Sequence, residues 1–262
     1  MPETVRLAVA QPPAGLATWQ DRMAWVRESL PRWAADDVDI ALLPELFACG
    51  YHIGDAVTDR AEPTDGPSFR AMSAQARQSG IALHYGFAEV FGGRFYNASL
   101  CVGPDGTVLS HQRKLAIPPG FEQAHFTPGE GCNLFTFNGM RFATLICYDA
   151  EFPETARQVA GLGAQVILVP TALGAQWGWV AHTMIPCRAY ENGVYLAYAN
   201  SAGSQNGMDF LGASVIAAPG GQEVARAGAE PEVIYADLDA GQVRIAQANL
   251  PYLKDRLSLR LS

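Results

Sequence analysis

The chain has 262 residues, 49 % apolar and 17 % charged, enough for one large domain or two small ones around a sizeable core. Its net charge of −8 argues against a nucleic-acid surface, because phosphate contacts need clustered Lys and Arg, and no basic run is longer than Arg113-Lys114. No apolar stretch reaches the ~18 residues of a membrane span, so no membrane partner is expected.

Val5, Leu7 and Val9 alternate with Arg6, Ala8 and Ala10, which predicts a first strand. Thr18 with Asp21 three residues on is a helix start, and Trp19, Met23, Val26, Leu30 and Trp33 then share one face. Ile40 to Leu43 is a short buried strand that stops at Pro44-Glu45. Gly66-Pro67 opens a second helix, with Phe69 and Met72 inward, that Gly80 closes. Strands are predicted over 81–87 and 98–102, with a turn at Gly103-Pro104-Asp105-Gly106. Residues 141–147 form another strand, Pro153 starts a helix to about Gly161, and 165–170 is a further strand. Residues 179–192 read as one helix kinked at Pro186, followed by strands at 194–200, 213–217 and 233–238. Strands that alternate with helices and then crowd together predict a mixed pair of sheets with helices outside, a layered α/β arrangement.

Met1-Pro2-Glu3-Thr4 has neither a basic nor an apolar leader region, so no signal peptide is read. The five cysteines are odd in number and form no C-x-x-C, which points to a reduced, cytoplasmic setting. The five histidines are dispersed, and no metal site is expected. Glu154 and Arg157 read as an ion pair near their helix start, and Asp149 as a helix cap. Cys49, Cys101 and Cys187 read as core residues, Cys132 as one near a turn.

Three segments stand out in chain order, Leu42-Leu43-Pro44-Glu45, His111-Gln112-Arg113-Lys114 and Leu145-Ile146-Cys147-Tyr148-Asp149, the first and third placing a reactive group just beyond an apolar run. In that order they resemble the Glu–Lys–Cys triad of the nitrilase (carbon–nitrogen hydrolase) superfamily. Phe126-Thr127-Pro128-Gly129, Phe152-Pro153-Glu154-Thr155-Ala156-Arg157, Val169-Pro170-Thr171-Ala172, Arg188-Ala189-Tyr190-Glu191-Asn192-Gly193 and Asn200-Ser201-Ala202-Gly203 resemble family blocks, from about residue 4 to 240. The lysine block departs from the pattern, with Gln112 before Arg113-Lys114 and Leu115-Ala116-Ile117 after it. The resemblance implies a single domain over 1–262, an α-β-β-α sandwich that forms four layers, no cofactor, and pairing into a homodimer or larger homo-oligomer. It places a second glutamate at Glu122 and suggests Ala172 and Trp177, with Trp179, near the substrate pocket; Tyr51, His125 and Phe126 are suggested for its lining because they sit near the triad segments.

The chemistry also follows from the residue types. A thiol is only slightly ionised at neutral pH and needs a base to attack a carbonyl. Glu45, held in a dry pocket, would have a raised pKa suited to shuttling a proton. Lys114 and the backbone N–H of Tyr148 would hold the oxyanion. A charged Lys114 should also offset the acids Asp149, Glu151 and Glu154 that crowd Cys147 in sequence. Tyr148-Asp149 after the cysteine favours amides over nitriles, since nitrile-cleaving branches of the family tend to carry Trp-Glu there. The expectation is an amidase acting on a small linear aliphatic or arylalkyl carboxamide. Alternatives are a nitrilase, an N-carbamoyl amidohydrolase using Arg188 for a substrate carboxylate, and a silent scaffold on the same fold. A Cys–His peptidase would need a histidine at a strand end like that of Cys147, and none is present.

Overall fold

A computed structural model describes residues 4–259; the segment read above for a leader therefore lies outside the described residues apart from Thr4. One sheet contains β1 (Thr4–Gln11), β2 (Ile40–Leu42), β3 (Ala82–Phe91), β4 (Arg94–Val102), β5 (Val108–Arg113) and β14 (Glu232–Asp239). The other contains β6 (Leu134–Phe137), β7 (Met140–Thr144), β8 (Val166–Pro170), β9 (Tyr195–Ala199), β12 (Val215–Ala217) and β13 (Glu223–Arg226). A separate ribbon pairs β10 (Ala202–Gln205) with β11 (Met208–Leu211). The helices are α1 (Trp19–Ala35), the single turn α2 (Ala56–Asp59), α3 (Pro67–Ser79), the short α4 (Phe121–His125), α5 (Pro153–Gly161), α6 (Ile185–Tyr190), α7 (Ala240–Asn249) and α8 (Tyr252–Asp255).

Each sheet has the order edge, parallel centre, edge: β14-β1-β2-β3-β4-β5 and β13-β12-β9-β8-β7-β6, with β1, β2 and β3 parallel and β7, β8 and β9 parallel. Parallel strands are covered on both faces, and the alternation along β1 shows how. Val5, Leu7 and Val9 meet Phe142, Val166, Leu168 and Tyr195 of the facing sheet. Ala8 and Ala10 turn outward onto Met23, Val26, Leu30 and Trp33 of α1 and Met72 of α3. Ala143, Ile167, Val169 and Leu196 turn outward on the other side, onto α5 and α6. The layers are thus α-β-β-α within one chain, the layered α/β order expected.

Local chemistry sets the helix ends. Thr18 caps α1 in a reciprocal box with Asp21, and Gly80 ends α3 in the left-handed region at φ 75°. Phe69 is only half-buried, whereas Met72 is fully covered.

The structure corrects several expectations. The strand over 141–147 stops at Thr144, and Cys147 opens a tight 3₁₀ turn, Cys147–Glu151. The helix over 179–192 is split into a π-helix, Val180–Met184, and α6, with Pro186 in the first turn of α6. Proline supplies no N–H, and the Ile185 N–H reaches back five residues to the Val180 carbonyl, which is the π register. Arg157 pairs with Glu191 at 3.3 Å rather than with Glu154, so α6 and α5 are tied to one another. Cys187 is exposed, not core, because it falls on the outer side of α6 while Ile185 and Ala189 face inward. The sequence reading did not anticipate β6, the β10–β11 ribbon, β13 or α7.

Gly86 in β3 shows how the fold delivers Glu45. Its N–H donates to the Pro44 carbonyl at 3.2 Å and its carbonyl accepts from Ala48 N–H at 3.0 Å. A Cβ there would lie 2.4 Å from Leu46 N and 2.8 Å from Glu45 Cα. Gly86→Ala should therefore push the Glu45 loop away. It is expected to cost about 1–3 kcal/mol, as overpacking does, and to lower activity as well, read from urea unfolding midpoints beside turnover.

Candidate active site

Lys114 follows β5 directly. The pleat of a strand sends neighbours to opposite sides, and Arg113 is held on the outer side, 2.6 Å from Glu89 and stacked over the Tyr96 ring at 3.9 Å. Lys114 is left pointing inward with no exposed surface. Its backbone N–H donates to the Asn97 carbonyl at 2.8 Å, and its carbonyl accepts from Gly129 N–H at 2.7 Å.

The ammonium donates to Glu45 Oε1 at 2.7 Å and to both oxygens of Glu122 at 2.6 and 2.8 Å. Asn97, which the sequence reading missed, closes the cluster by donating to Glu45 Oε1 at 2.7 Å and Glu122 Oε2 at 3.0 Å. The available signal was an asparagine inside a strand, where that residue is depleted. Tyr51 donates its hydroxyl to Glu122 Oε1 at 2.8 Å. The second oxygen of Glu45, Oε2, is buried and has no hydrogen-bond partner among the described residues.

Cys147 has φ 47°, a left-handed conformation uncommon outside glycine. The turn that imposes it is held by Asp149, whose carboxylate accepts from the N–H groups of Ile146, Leu115 and Ala116 at 3.0, 3.0 and 2.8 Å. Asp149 therefore caps its own turn and also fastens it to the two residues after Lys114. Its own carboxyl is pushed up to about 6 by burial, against the pull of these N–H donors and of Lys114. Thr171, just after β8, accepts from Glu45 N–H through its carbonyl at 3.4 Å, which joins the Glu45 loop to the second sheet.

The ionisation pattern follows from burial and pairing. Burial pushes Glu45 up to about 7, with Lys114 opposing and the charge of Glu122 reinforcing the rise. Burial alone would lower Lys114, but Glu45 and Glu122 reverse that and hold it well above its ordinary value, so it stays charged. Burial also raises the Cys147 thiol; Glu45 and Glu122 add to the effect while Lys114 and Thr171 oppose it. The offset expected from Lys114 is thus incomplete, because its charge is spent on two carboxylates. Burial and the two carboxylates thus favour the protonated thiol at rest.

Cys147 opens onto a cavity of about 550 Å³ that is also lined by Tyr51, Pro118, Pro119, Glu122, Tyr148, Glu151, Ala172, Leu173, Gly174, Trp177 and Met208. Of the residues suggested for the substrate pocket, Tyr51, Ala172 and Trp177 line this cavity, Trp177 at its rim with 57 % of its surface exposed. Phe126 does not line it: it packs with Leu46, Cys49, Val57 and Ala88. His125 is turned away, bonded to Asp55 at 2.9 Å, and Trp179 is 73 % exposed outside the cavity. Arg188 is also outside it, donating to the carbonyls of Ala150 and Glu151 and pairing with Glu191 at 3.1 Å.

Residues 6–247 match the carbon–nitrogen hydrolase family. The chain belongs to that family.

A Pseudomonas protegens protein named hydrolase in pqqF 5′ region is 40 % identical over 225 residues, 85 % of this chain and 79 % of that one. An (R)-stereoselective amidase from a Pseudomonas species is 36 % identical over 223 residues, 85 % of this chain and 81 % of the other. Among solved structures, a Cys-to-Ala mutant of the Nesterenkonia sp. AN1 amidase in complex with butyramide superposes with a TM-score of 0.82 at 30 % identity, covering 97 % of each chain. The fold is that of the nitrilase superfamily, and the protein is an enzyme of the carbon–nitrogen hydrolase kind.

Two tests follow from the geometry of this hydrolase. If Glu45 takes the thiol proton it must first be ionised, so kcat/KM should climb as pH rises through about 7, and Glu45→Gln should remove both the activity and that limb. For stability the sign is opposite. Folded Glu45 holds its proton more tightly than the unfolded chain does, so its contribution is present below the ordinary value of 4.5 and is lost as pH rises through about 7. Lys114→Met strands two buried carboxylates and should cost about 3–5 kcal/mol in chemical denaturation at pH 8, with less cost at pH 5, where Glu45 holds its proton; an equal cost at both values would sink the charge-pairing account.

Proposed function

We propose that this enzyme hydrolyses a small linear carboxamide to the carboxylic acid and ammonia through a thioester on Cys147. The observation that carries the reading is Lys114 held between Glu45 and Glu122 with Cys147 open to the same cavity. Glu45 accepts the thiol proton through its unpartnered Oε2 as the sulfur bonds to the amide carbon. The carbonyl oxygen becomes an oxyanion, received by Lys114, which releases one of its contacts to Glu122, and by the backbone N–H of Tyr148. A donor of this kind contributes ~3 kcal/mol to transition-state stabilisation. Glu45 returns the proton to nitrogen, the C–N bond breaks and ammonia leaves. Glu45 then draws a proton from water as its oxygen attacks the thioester, and the acid departs with the thiol restored. Glu122 is a positioning residue that fixes Lys114 and orients Tyr51.

The amide reading is supported by the amidase names of two of the relatives above. The acyl group is small and aliphatic or arylalkyl in this reading, supported by the apolar walls at Pro118, Pro119, Leu173 and Met208. We take the enzyme to be a single domain that pairs with a second copy, as its family resemblance implies; Trp179 and Leu162 leave apolar surface available for this. The reducing cytoplasm is its proposed home, a reading supported by its five free cysteines. No helix among the described residues is long and apolar enough to cross a membrane.

Ammonia and acid should appear from butyramide and propionamide far faster than from propionitrile, and Cys147→Ala should abolish both. Hydroxylamine should intercept the thioester as a hydroxamate. Turnover of the nitrile without the amide would reverse the assignment.

A further inference from the structure

The charges around the cavity are one-sided. Beside Cys147 and two tyrosines, its charged lining consists of the carboxylates Glu122 and Glu151, with no lysine, arginine or histidine among the described residues that line it. The buried cation behind them, Lys114, directs its ammonium contacts to Glu45 and Glu122, and an ammonium has three protons to give. Arg188, the nearest candidate for gripping a substrate carboxylate, is engaged by two carbonyls and Glu191 and does not line the space. Glu151 differs from Glu122. Its carboxylate makes no hydrogen bond or ion pair among the described residues, yet its side chain is half-buried. It closes the turn that Cys147 opens, so both ends of Cys147–Glu151 face one cavity. A partly desolvated, unpaired charge acts over several ångströms with little screening.

We infer that Glu151 selects substrates by charge, admitting amides whose acyl group is neutral or cationic and turning away those that end in a carboxylate. The inference rests on the amidase reading for its substrate class, but its physical content, an anion-repelling cavity, can be tested without turnover. It separates this chain from any enzyme cleaving monoamides of dicarboxylic acids or N-carbamoyl amino acids, whose substrates carry the charge this cavity opposes. An ammonium at the end of a short acyl chain would instead meet a Glu151 carboxylate that makes no ion pair among the described residues and that Lys114 and Arg188 act on only at a distance.

Iodoacetamide and iodoacetate differ in charge and little in size, and each alkylates a thiol by displacing iodide. Their rates at Cys147 are compared by peptide mass spectrometry, with exposed Cys187 of the same molecule as reference. The amide-to-acid rate ratio at Cys147 is expected to exceed that at Cys187 by about tenfold. In Glu151→Gln it should fall by a similar factor, with the Cys187 ratio reporting intact protein. In parallel, wild-type kcat/KM should rank 4-aminobutyramide and butyramide above succinamate, with the difference in KM. In Glu151→Gln the succinamate-to-butyramide ratio should rise about tenfold. Equal ratios at the two cysteines, or a Cys147 ratio unmoved by Glu151→Gln, overturn the inference. Charge-selective alkylation with no amide turned over supports it and rejects the amidase reading instead.

Discussion

One fully buried ammonium, shared by two carboxylates, is the constraint around which the rest of this site is arranged. Lys114 lies 2.7 Å from Glu45 and 2.6 Å from Glu122 with no water-accessible surface. Removing three charged groups from water is costly, and only close pairing with further hydrogen bonds recovers the cost. Asn97 and Tyr51 supply those bonds. Because one positive charge faces two negative ones, the cluster is short of a cation. That shortage, together with burial, keeps the carboxyl of Glu45 near neutrality and the thiol of Cys147 protonated. At rest the proton therefore sits on Cys147, whose sulfur is raised further than the carboxyl of Glu45.

The sandwich brings these groups together from opposite sheets. Glu45, Asn97 and Lys114 come from the first sheet, after β2, within β4 and after the edge strand β5; Cys147 and Thr171 come from the second. In open α/β sheets, ligand groups gather outside the carboxyl ends of the parallel strands, and Glu45, Cys147 and Thr171 follow β2, β7 and β8 there. Apolar packing alone would leave such loops loosely related. Glu45 N–H on the Thr171 carbonyl and Asp149 on Leu115 and Ala116 add polar ties between the sheets.

Much of this was legible in the sequence, for identifiable reasons. The alternation in β1 and the capping box at Thr18 are local patterns, and both appear where expected. Glu45 and Cys147 stood out because a charge or thiol just after an apolar run is uncommon in a core, and Lys114 because its segment follows in the family's order. Asn97 did not stand out, because its role depends on two partners, 52 and 25 residues away in sequence. Gly86 was hidden likewise: its missing side chain matters only once the Glu45 loop crosses it. Cys187 was misread because its surroundings in sequence are apolar, while its burial is decided by which side of a short helix it occupies. Phe126 was placed in the pocket by its closeness to Glu122 in the chain, but the end of α4 turns it into a neighbouring apolar cluster.

The bracket formed by Asp149 has a wider bearing. It links Cys147, through Asp149, to Leu115 and Lys114 by a short run of covalent and hydrogen bonds. The separation of sulfur and amine is set along that short path more than by the spacing of the two sheets. Core residues such as Leu168 or Ile216 are free to drift over evolutionary time, shifting one sheet against the other, while the reacting atoms travel together as a unit.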